Sequence, residues 1–217
     1  MAAYAGHTEC LKLLIPAISP KIEDPRPLVY SALSGYTECV KILIPVSDAK
    51  ADGSRALREA ACNGHTECVR LLIPISDPKA EDSFALRWAA KNGQTECVKL
   101  LIPVSDPKAG DSLALRWAAD NGHAECARIL ISKSAPLAEI KGLLDDAIRA
   151  GDPEILSIMI AHEPRFLDGA DVGALLAAAI SANRCELAAL LRSIGELQEL
   201  DAHLSTALNA PQKTSRL

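Results

Sequence analysis

The sequence predicts an all-α fold, a solenoid in which short helix–turn–helix repeats stack side by side. The first observation is a five-residue block, GHTEC in its first copy, that returns every 29 residues, starting at Gly6, Gly35, Gly64, Gly93 and Gly122. The second is that apolar residues recur at helical spacing inside the copies. A fixed period of about 20–50 residues is typical of a stacked array, in which each repeat buries its apolar face against its neighbours.

The first half of each repeat predicts one short helix, as residues 82–93 illustrate. Asp82 and Ser83 are suitable N-caps, because a side-chain oxygen there can accept a hydrogen bond from a free backbone N–H group. Gly93 ends the helix, since glycine tolerates the left-handed conformation found just past a helix C-terminus. Between them lies an apolar stripe with i, i+3, i+4 spacing, formed by Leu86, Ala89 and Ala90.

The second half predicts another short helix over residues 95–102. Lys99 faces water, and Pro103 ends the helix because proline lacks a backbone donor. A turn-rich segment containing Asp106 and Pro107 then leads to the next repeat. The side chains expected to face the core are Cys97, Leu100 and Leu101.

Five of the seven cysteines occupy one repeat position, namely Cys10, Cys39, Cys68, Cys97 and Cys126. Neighbouring helices pack about 8–10 Å apart, whereas a disulfide requires Cα atoms within about 7 Å. The pattern therefore predicts a ladder of small buried apolar side chains rather than disulfides.

Composition excludes several classes of function. A formal net charge of −5 and a pI near 5.6 argue against the basic face that nucleic-acid binding requires. No apolar run approaches the roughly 20 residues of a membrane span. The N-terminus has neither a basic region nor an apolar signal core. These features predict a cytoplasmic protein with no membrane span.

At these residues the chain resembles the ankyrin repeat family. Residues 86–94 read LRWAAKNGQ, similar to the family's first helix and turn, and residues 97–102 read CVKLLI, similar to its second helix. The resemblance covers about residues 1–195. It implies a protein-interaction module whose first helices line a concave surface where partners usually bind.

The repeat departs from that family at two points. Its 29 residues fall short of the usual period of about 33, and the shortening follows Ile102, where the family builds a β-hairpin finger. Pro78 and Pro107 remove backbone donors from that segment. We therefore expect shortened loops in place of the fingers, with little or no strand pairing. At the position of the family's first-helix histidine stand Arg58, Arg87 and Arg116.

The repeat boundaries predict four segments. Residues 1–24 form a truncated first repeat, and residues 25–195 form repeats two to seven. Residues 196–210 form a C-terminal capping helix, and residues 211–217 a disordered tail. The truncated repeat should leave Leu13 or Leu14 less well covered, which predicts self-association or further repeats at that edge.

Comparison of the repeats with one another separates fixed from variable positions. The first turn of every second helix carries a glutamate, whose carboxylate interacts favourably with the helix dipole, so its role is structural. The variable positions lie on the first helix, away from its apolar stripe. These positions and two flanking arginines are the predicted partner-binding residues: Tyr30, Glu59, Arg87, Trp88, Lys91, Arg116, Trp117 and Asp120.

Trp88 and Trp117 are the strongest candidates for anchors. They lie on adjacent repeats beside Arg87 and Arg116, and Trp and Arg are enriched among the residues that dominate binding energy. The alternative is that both indoles only fill space between helices, with the arginine stems lying over them.

Catalysis and metal binding have little support. His7, His65 and His123 each precede a ladder cysteine by three residues, but zinc needs about four converging ligands. Tyr36 and Gln94 replace histidine in the intervening repeats. The sequence thus predicts a scaffold that binds a protein partner, with no catalytic residue, metal or cofactor. The alternatives are a regulatory or targeting segment of a larger protein and, from another class, a Cys/His metal or thiol-redox protein.

Overall fold

The structure is a computed structural model that describes residues 2–17 and 22–133, and then residues 157, 158, 176, 179, 180, 185, 188–193 and 195. The α-helices within residues 2–133 are α1 (Thr8–Leu14), α2 (Arg26–Leu33), α3 (Thr37–Leu43), α4 (Ala51–Cys62), α5 (Thr66–Leu72), α6 (Ala80–Lys91), α7 (Thr95–Leu101), α8 (Ala109–Asp120) and α9 (Ala124–Ile131). The predicted capping helix and tail lie outside the described residues, as does most of repeats six and seven.

The helices stack in two parallel rows. Helices α2, α4, α6 and α8 pack against one another in chain order and form the first-helix row. Helices α1, α3, α5, α7 and α9 form the second-helix row, and the two rows pack together through the helix pairs of each repeat. Between the rows lies a core whose largest fully buried side chains are Leu28, Leu43, Leu57, Leu72, Leu86, Leu101 and Leu130. The predicted α-solenoid is confirmed.

The return loops are short and contain no projecting hairpin among the described residues. Three of them begin as 3-10 helices, Ile15–Ala17, Ile44–Val46 and Ile73–Ile75. The Asp77 carboxylate then accepts a hydrogen bond from the backbone N–H of Lys79 at 3.0 Å, which closes the turn. Strand pairing in the described residues is limited to one isolated bridge between Ile22 and Ser47. Shortened loops therefore replace the fingers, as the period predicts.

The N-cap prediction for Asp82 and Ser83 is wrong. Both residues are left-handed, as is Glu81, with φ between 51° and 58°, and no side chain caps α6. The Ser83 hydroxyl is buried and instead accepts a hydrogen bond from the backbone N–H of Asp106 at 2.8 Å, in the return loop between α7 and α8. The preceding repeat makes the same contact. The oxygen expected to cap the helix therefore connects the start of α6 to the loop that leads to α8.

We expect Asp82→Gly to raise the free energy of unfolding by about 1 kcal/mol, because left-handed angles disfavour a residue with a Cβ atom and do not disfavour glycine. The chain itself has glycine at the equivalent position, Gly53, with φ of 62°. Urea denaturation followed by circular dichroism measures the change. Asp82→Ala is the control, since it removes the same carboxylate but keeps Cβ. An equal gain from alanine would contradict the backbone explanation.

The N-terminal edge of the stack is uncovered in the structure. Helix α1 has a second-row neighbour, α3, on one side only. Leu13 and Leu14 are 78% and 47% exposed, so the predicted low coverage of these two side chains is observed. Cys10 is also exposed, so the buried-ladder prediction is wrong for this cysteine and right for Cys39, Cys68, Cys97 and Cys126. Each buried member lies against a threonine of the preceding repeat, which Cys10 lacks.

Candidate functional site

The exposed side of α6 and α8 carries three aromatic rings, Phe84, Trp88 and Trp117, here called the aromatic cluster. The Phe84 and Trp88 ring centroids lie 5.6 Å apart, one helical turn along α6. Trp88 meets Trp117 of the next repeat edge to face, with centroids 6.1 Å apart. All three side chains are half-buried, while the apolar stripe of α6 points into the core. The cluster therefore lies on the surface of the first-helix row.

Three cations lie over these rings. The guanidinium carbon of Arg58 is 5.0 Å from the Phe84 centroid, and that of Arg87 is 5.1 Å from it. The Lys91 ammonium is 4.5 Å from the Trp88 centroid and 5.4 Å from that of Trp117. Such contacts contribute roughly 0.5–2 kcal/mol each. The cations thus have preferred positions across the repeats before any partner binds.

A groove of about 320 Å³ lies beside the cluster, lined by Arg58, Glu59, Cys62, Phe84 and Trp88. The Glu59 carboxylate at its wall forms an ion pair with Arg55 at 3.5 Å. Burial, followed by the charge of Glu59, raises the pKa of the Cys62 thiol. The groove therefore combines apolar surface with a neutral thiol and with charged groups at its rim.

The structure brings together part of the predicted partner-binding set. Arg87, Trp88, Lys91 and Trp117 belong to or contact the aromatic cluster, and Glu59 lines the adjoining groove. Tyr30 is separate: its ring packs edge to face on Tyr4 at 5.4 Å, in a second groove of about 450 Å³. On α8, Arg116 is half-buried and Asp120 is exposed.

Comparison of the repeats did not place Phe84 or Arg58 among the predicted partner-binding residues. A signal for Phe84 was present, because its repeat position is also variable: Arg26, Arg55 and Leu113 occupy it in other copies. Phe84 also precedes Trp88 by four residues and so shares its helix face. Arg58 reaches the cluster from α4 and could be found only after the repeats were stacked.

The two interpretations of the tryptophans each describe part of the geometry. Trp88 and Trp117 do fill the space between adjacent helices, and Trp88 Nε1 is shielded from solvent with no hydrogen-bond partner among the described residues. Neither indole is fully buried, however, and Trp88 forms a wall of the groove. Both rings thus combine packing with exposed apolar surface.

The architecture and this surface can be compared with known proteins. Residues 1–82 and 75–141 match the family model described as ankyrin repeats (3 copies), which covers more than half of the chain. The chain belongs to the ankyrin repeat family. The crystal structure of the human ASB11 ankyrin repeat domain is similar, with a TM-score of 0.63 and 21% identity, over 75% of this chain and 81% of that one. At this identity the likeness shows the fold alone. No curated protein matches the sequence significantly.

Two histidines of these ankyrin repeats, His65 and His123, form hydrogen bonds to the preceding repeat. His65 Nε2 lies 2.9 Å from the Leu33 carbonyl oxygen, so it donates a hydrogen bond to the end of the preceding first helix. His123 bonds the Lys91 carbonyl in the same way at 3.0 Å. No group of three or more potential ligands from His, Cys, Asp and Glu converges among the residues that the structure describes. Within that part of the chain, no helix is long and apolar enough to span a membrane.

The ladder cysteines lie in an environment that opposes thiolate formation. Burial raises the pKa of the Cys68, Cys97 and Cys126 thiols, although a threonine hydroxyl beside each acts the other way. The Thr66 Oγ1 to Cys97 Sγ distance, for example, is 3.8 Å. Since the thiolate is the nucleophile and the metal ligand, these side chains are suited to packing rather than to chemistry.

We expect stability to fall as pH rises above about 8.5, where exposed thiols ionise in the unfolded chain. Their raised pKa in the folded state makes the stabilisation complete below that pH, and it is lost as pH increases toward the folded-state pKa. Urea midpoints at pH 7 and pH 9.5 measure the loss. Cys97→Ala should reduce the pH dependence, and an unchanged dependence in this variant would contradict the assignment to the ladder.

Proposed function

We propose that the chain is a scaffold that binds a protein partner through the exposed face of α4, α6 and α8 and catalyses no reaction itself. Ankyrin repeats generally mediate protein–protein interactions. The observation that supports this surface is the aromatic cluster, where three half-buried rings of two adjacent repeats lie beneath three cations. Aromatic residues and arginine are the types that dominate binding energy at interfaces.

The stack supplies the rigidity that such a surface needs. The rings and cations stand on helices whose opposite faces are fully buried, with Leu57 and Leu86 both at 0% exposure. Binding therefore orders few side chains, and less of the interaction energy is offset by lost conformational freedom. The second-helix row differs, because its exposed basic residues pair with the glutamates three positions earlier.

The proposed binding residues have distinct roles. Trp88 and Trp117 supply apolar contact area, while Arg87 and Lys91 supply charge beside it. Glu59 supplies a carboxylate at the groove wall. Tyr30, Arg116 and Asp120 extend the same face toward the two ends of the first-helix row. A cytoplasmic location and an array that continues or self-associates at the α1 edge stay predictions.

Photo-cross-linking from one position on each row tests the proposal. A photoreactive phenylalanine replaces Leu113 on the first-helix row, a half-buried residue of α8 outside the proposed binding set, and another replaces Lys99 on the second-helix row as the control. In cells that produce the protein, we expect partner cross-links from position 113 and few from position 99. Trp117→Ala should reduce the first set while leaving the circular dichroism spectrum unchanged. Equal cross-linking from both positions, or exclusive cross-linking from position 99, would contradict the proposed surface.

A further inference from the structure

The repeats differ in how they neutralise the arginine of the first helix. Arg58 in α4 forms an ion pair with Glu81 of the next repeat at 2.9 Å. The position equivalent to Glu81 one repeat later is Gly110, which has no side chain. Arg87 therefore lacks the inter-repeat carboxylate that Arg58 has, and it forms no ion pair with any described residue. Its Nη2 donates instead to the backbone carbonyl of Glu81.

A second cation without a carboxylate partner stands one turn away on the same helix. Lys91 forms no ion pair among the described residues, and its ammonium lies over Trp88 and Trp117. Its counterpart on the second-helix row behaves differently, because Lys99 pairs with Glu96 at 2.6 Å. Two positive charges that have no carboxylate partner among the described residues thus lie close to Trp117. The protein as a whole has a formal net charge of −5.

Both side chains keep hydrogen-bond donors for a partner. An ammonium has three N–H groups and a guanidinium five, and the contacts described above use few of them. Hydrogen bonds from such cations to carboxylates are roughly twice as strong as those between neutral groups. The nearby carboxylates of Glu59 and Glu81 are already paired with Arg55 and Arg58. Arg87 and Lys91 therefore keep positive charges that no described carboxylate approaches within ion-pair distance.

We propose that the partner segment is an acidic, extended peptide, whose carboxylates pair with Arg87 and Lys91 and whose adjacent apolar side chain fills the groove beside Trp88. This inference rests on the proposed function of the same surface. Residues four apart on a helix stand about 5–6 Å from each other. Alternate side chains of an extended peptide share one side and lie about 6.6–6.8 Å apart. Two acidic residues at positions i and i+2 match that spacing.

A phage-displayed library of random 12-residue peptides, selected on the intact chain, is a suitable probe because it assumes no partner. We expect the selected peptides to be enriched in Asp or Glu at i and i+2, next to an apolar residue. Fluorescence anisotropy with a labelled synthetic peptide should show roughly 10- to 100-fold weaker binding to the double variant Arg87→Gln, Lys91→Gln. Binding should weaken with added salt. The matched control Lys99→Gln should bind as the unchanged chain does.

The double variant Arg87→Lys, Lys91→Arg keeps both positive charges and is the control for a folding defect. It should retain most of the binding. Neutral peptides that lose affinity with Trp117→Ala, but not with the double glutamine variant, would overturn the acidic partner and leave the proposed function standing. Peptides insensitive to every first-helix substitution would overturn both. A selection without binders would contradict the acidic peptide, leaving the binding surface to be judged by the cross-linking.

Discussion

Leu72→Ala is expected to lower the free energy of unfolding by about 2–5 kcal/mol. Leu72 ends α5 in the middle of the described stack and is 0% exposed. Removing its side chain loses the burial of the deleted carbons and leaves a cavity, since tightly packed helices on both sides relax only in part. Urea denaturation followed by circular dichroism measures the change against the unaltered chain.

The chain contains its own control for this substitution. Leu14 occupies the same repeat position at the end of α1 but is 47% exposed. Leu14→Ala therefore removes a side chain that is only half covered, and it should cost about 1 kcal/mol or less. Both substitutions remove the same side chain from the same repeat position, so the difference between their losses of unfolding free energy reports the effect of burial. Equal losses from the two substitutions would mean that the α1 edge is covered in solution, by a second copy or by residues outside the described range.

The second large effect is expected at a helix–helix turn. Gly35 has φ of +73°, and a Cβ atom added to it would lie 2.5 Å from Nδ1 of His65, which packs over it from the next repeat. The left-handed backbone costs an alanine about 1–2 kcal/mol, and the overpacking adds about 1–3 kcal/mol. The imidazole cannot move away without loss, because its Nε2 donates to the Leu33 carbonyl. Gly35→Ala should therefore destabilise the chain by about 2–5 kcal/mol.

A double-mutant cycle separates the two causes. His65→Ala removes the ring that the new methyl group meets, so in that background Gly35→Ala should cost only the backbone part, about 1–2 kcal/mol. The difference between the two backgrounds is the coupling energy of the contact, which we expect to be about 1–3 kcal/mol. A coupling energy near zero would assign the whole effect to the backbone and contradict the close approach of the ring.

Most of the fold could be predicted because each element depends on residues close together in the chain. Gly93 and Pro103 end helices through their own backbone properties, and the apolar stripe of residues 86–90 depends only on helical spacing. The role of Ser83 could not be predicted in this way. Whether its hydroxyl caps its own helix or accepts a hydrogen bond from the backbone N–H of Asp106 depends on how the loop after α7 packs.

The binding surface was predictable only in part for a similar reason. Internal comparison identified the variable positions, including Trp88, Trp117 and Lys91, because positions that serve the stack are fixed. It could not show that Arg58 reaches Phe84 from the preceding repeat, or that Tyr30 lies in a separate groove with Tyr4. Those facts are distances between residues of different repeats.

Sequence patterns alone predict the period, the two helices of each repeat, the shortened loops and the division into fixed and variable faces. These properties follow from backbone preferences and apolar spacing, which act over one or two helical turns. Which charges are neutralised depends instead on contacts between repeats. Arg58 forms an ion pair with Glu81 of the next repeat. The equivalent position beside Arg87 is Gly110, which has no side chain to pair with it. Ion pairing requires two side chains to approach within a few ångströms, and stacking the repeats sets that distance.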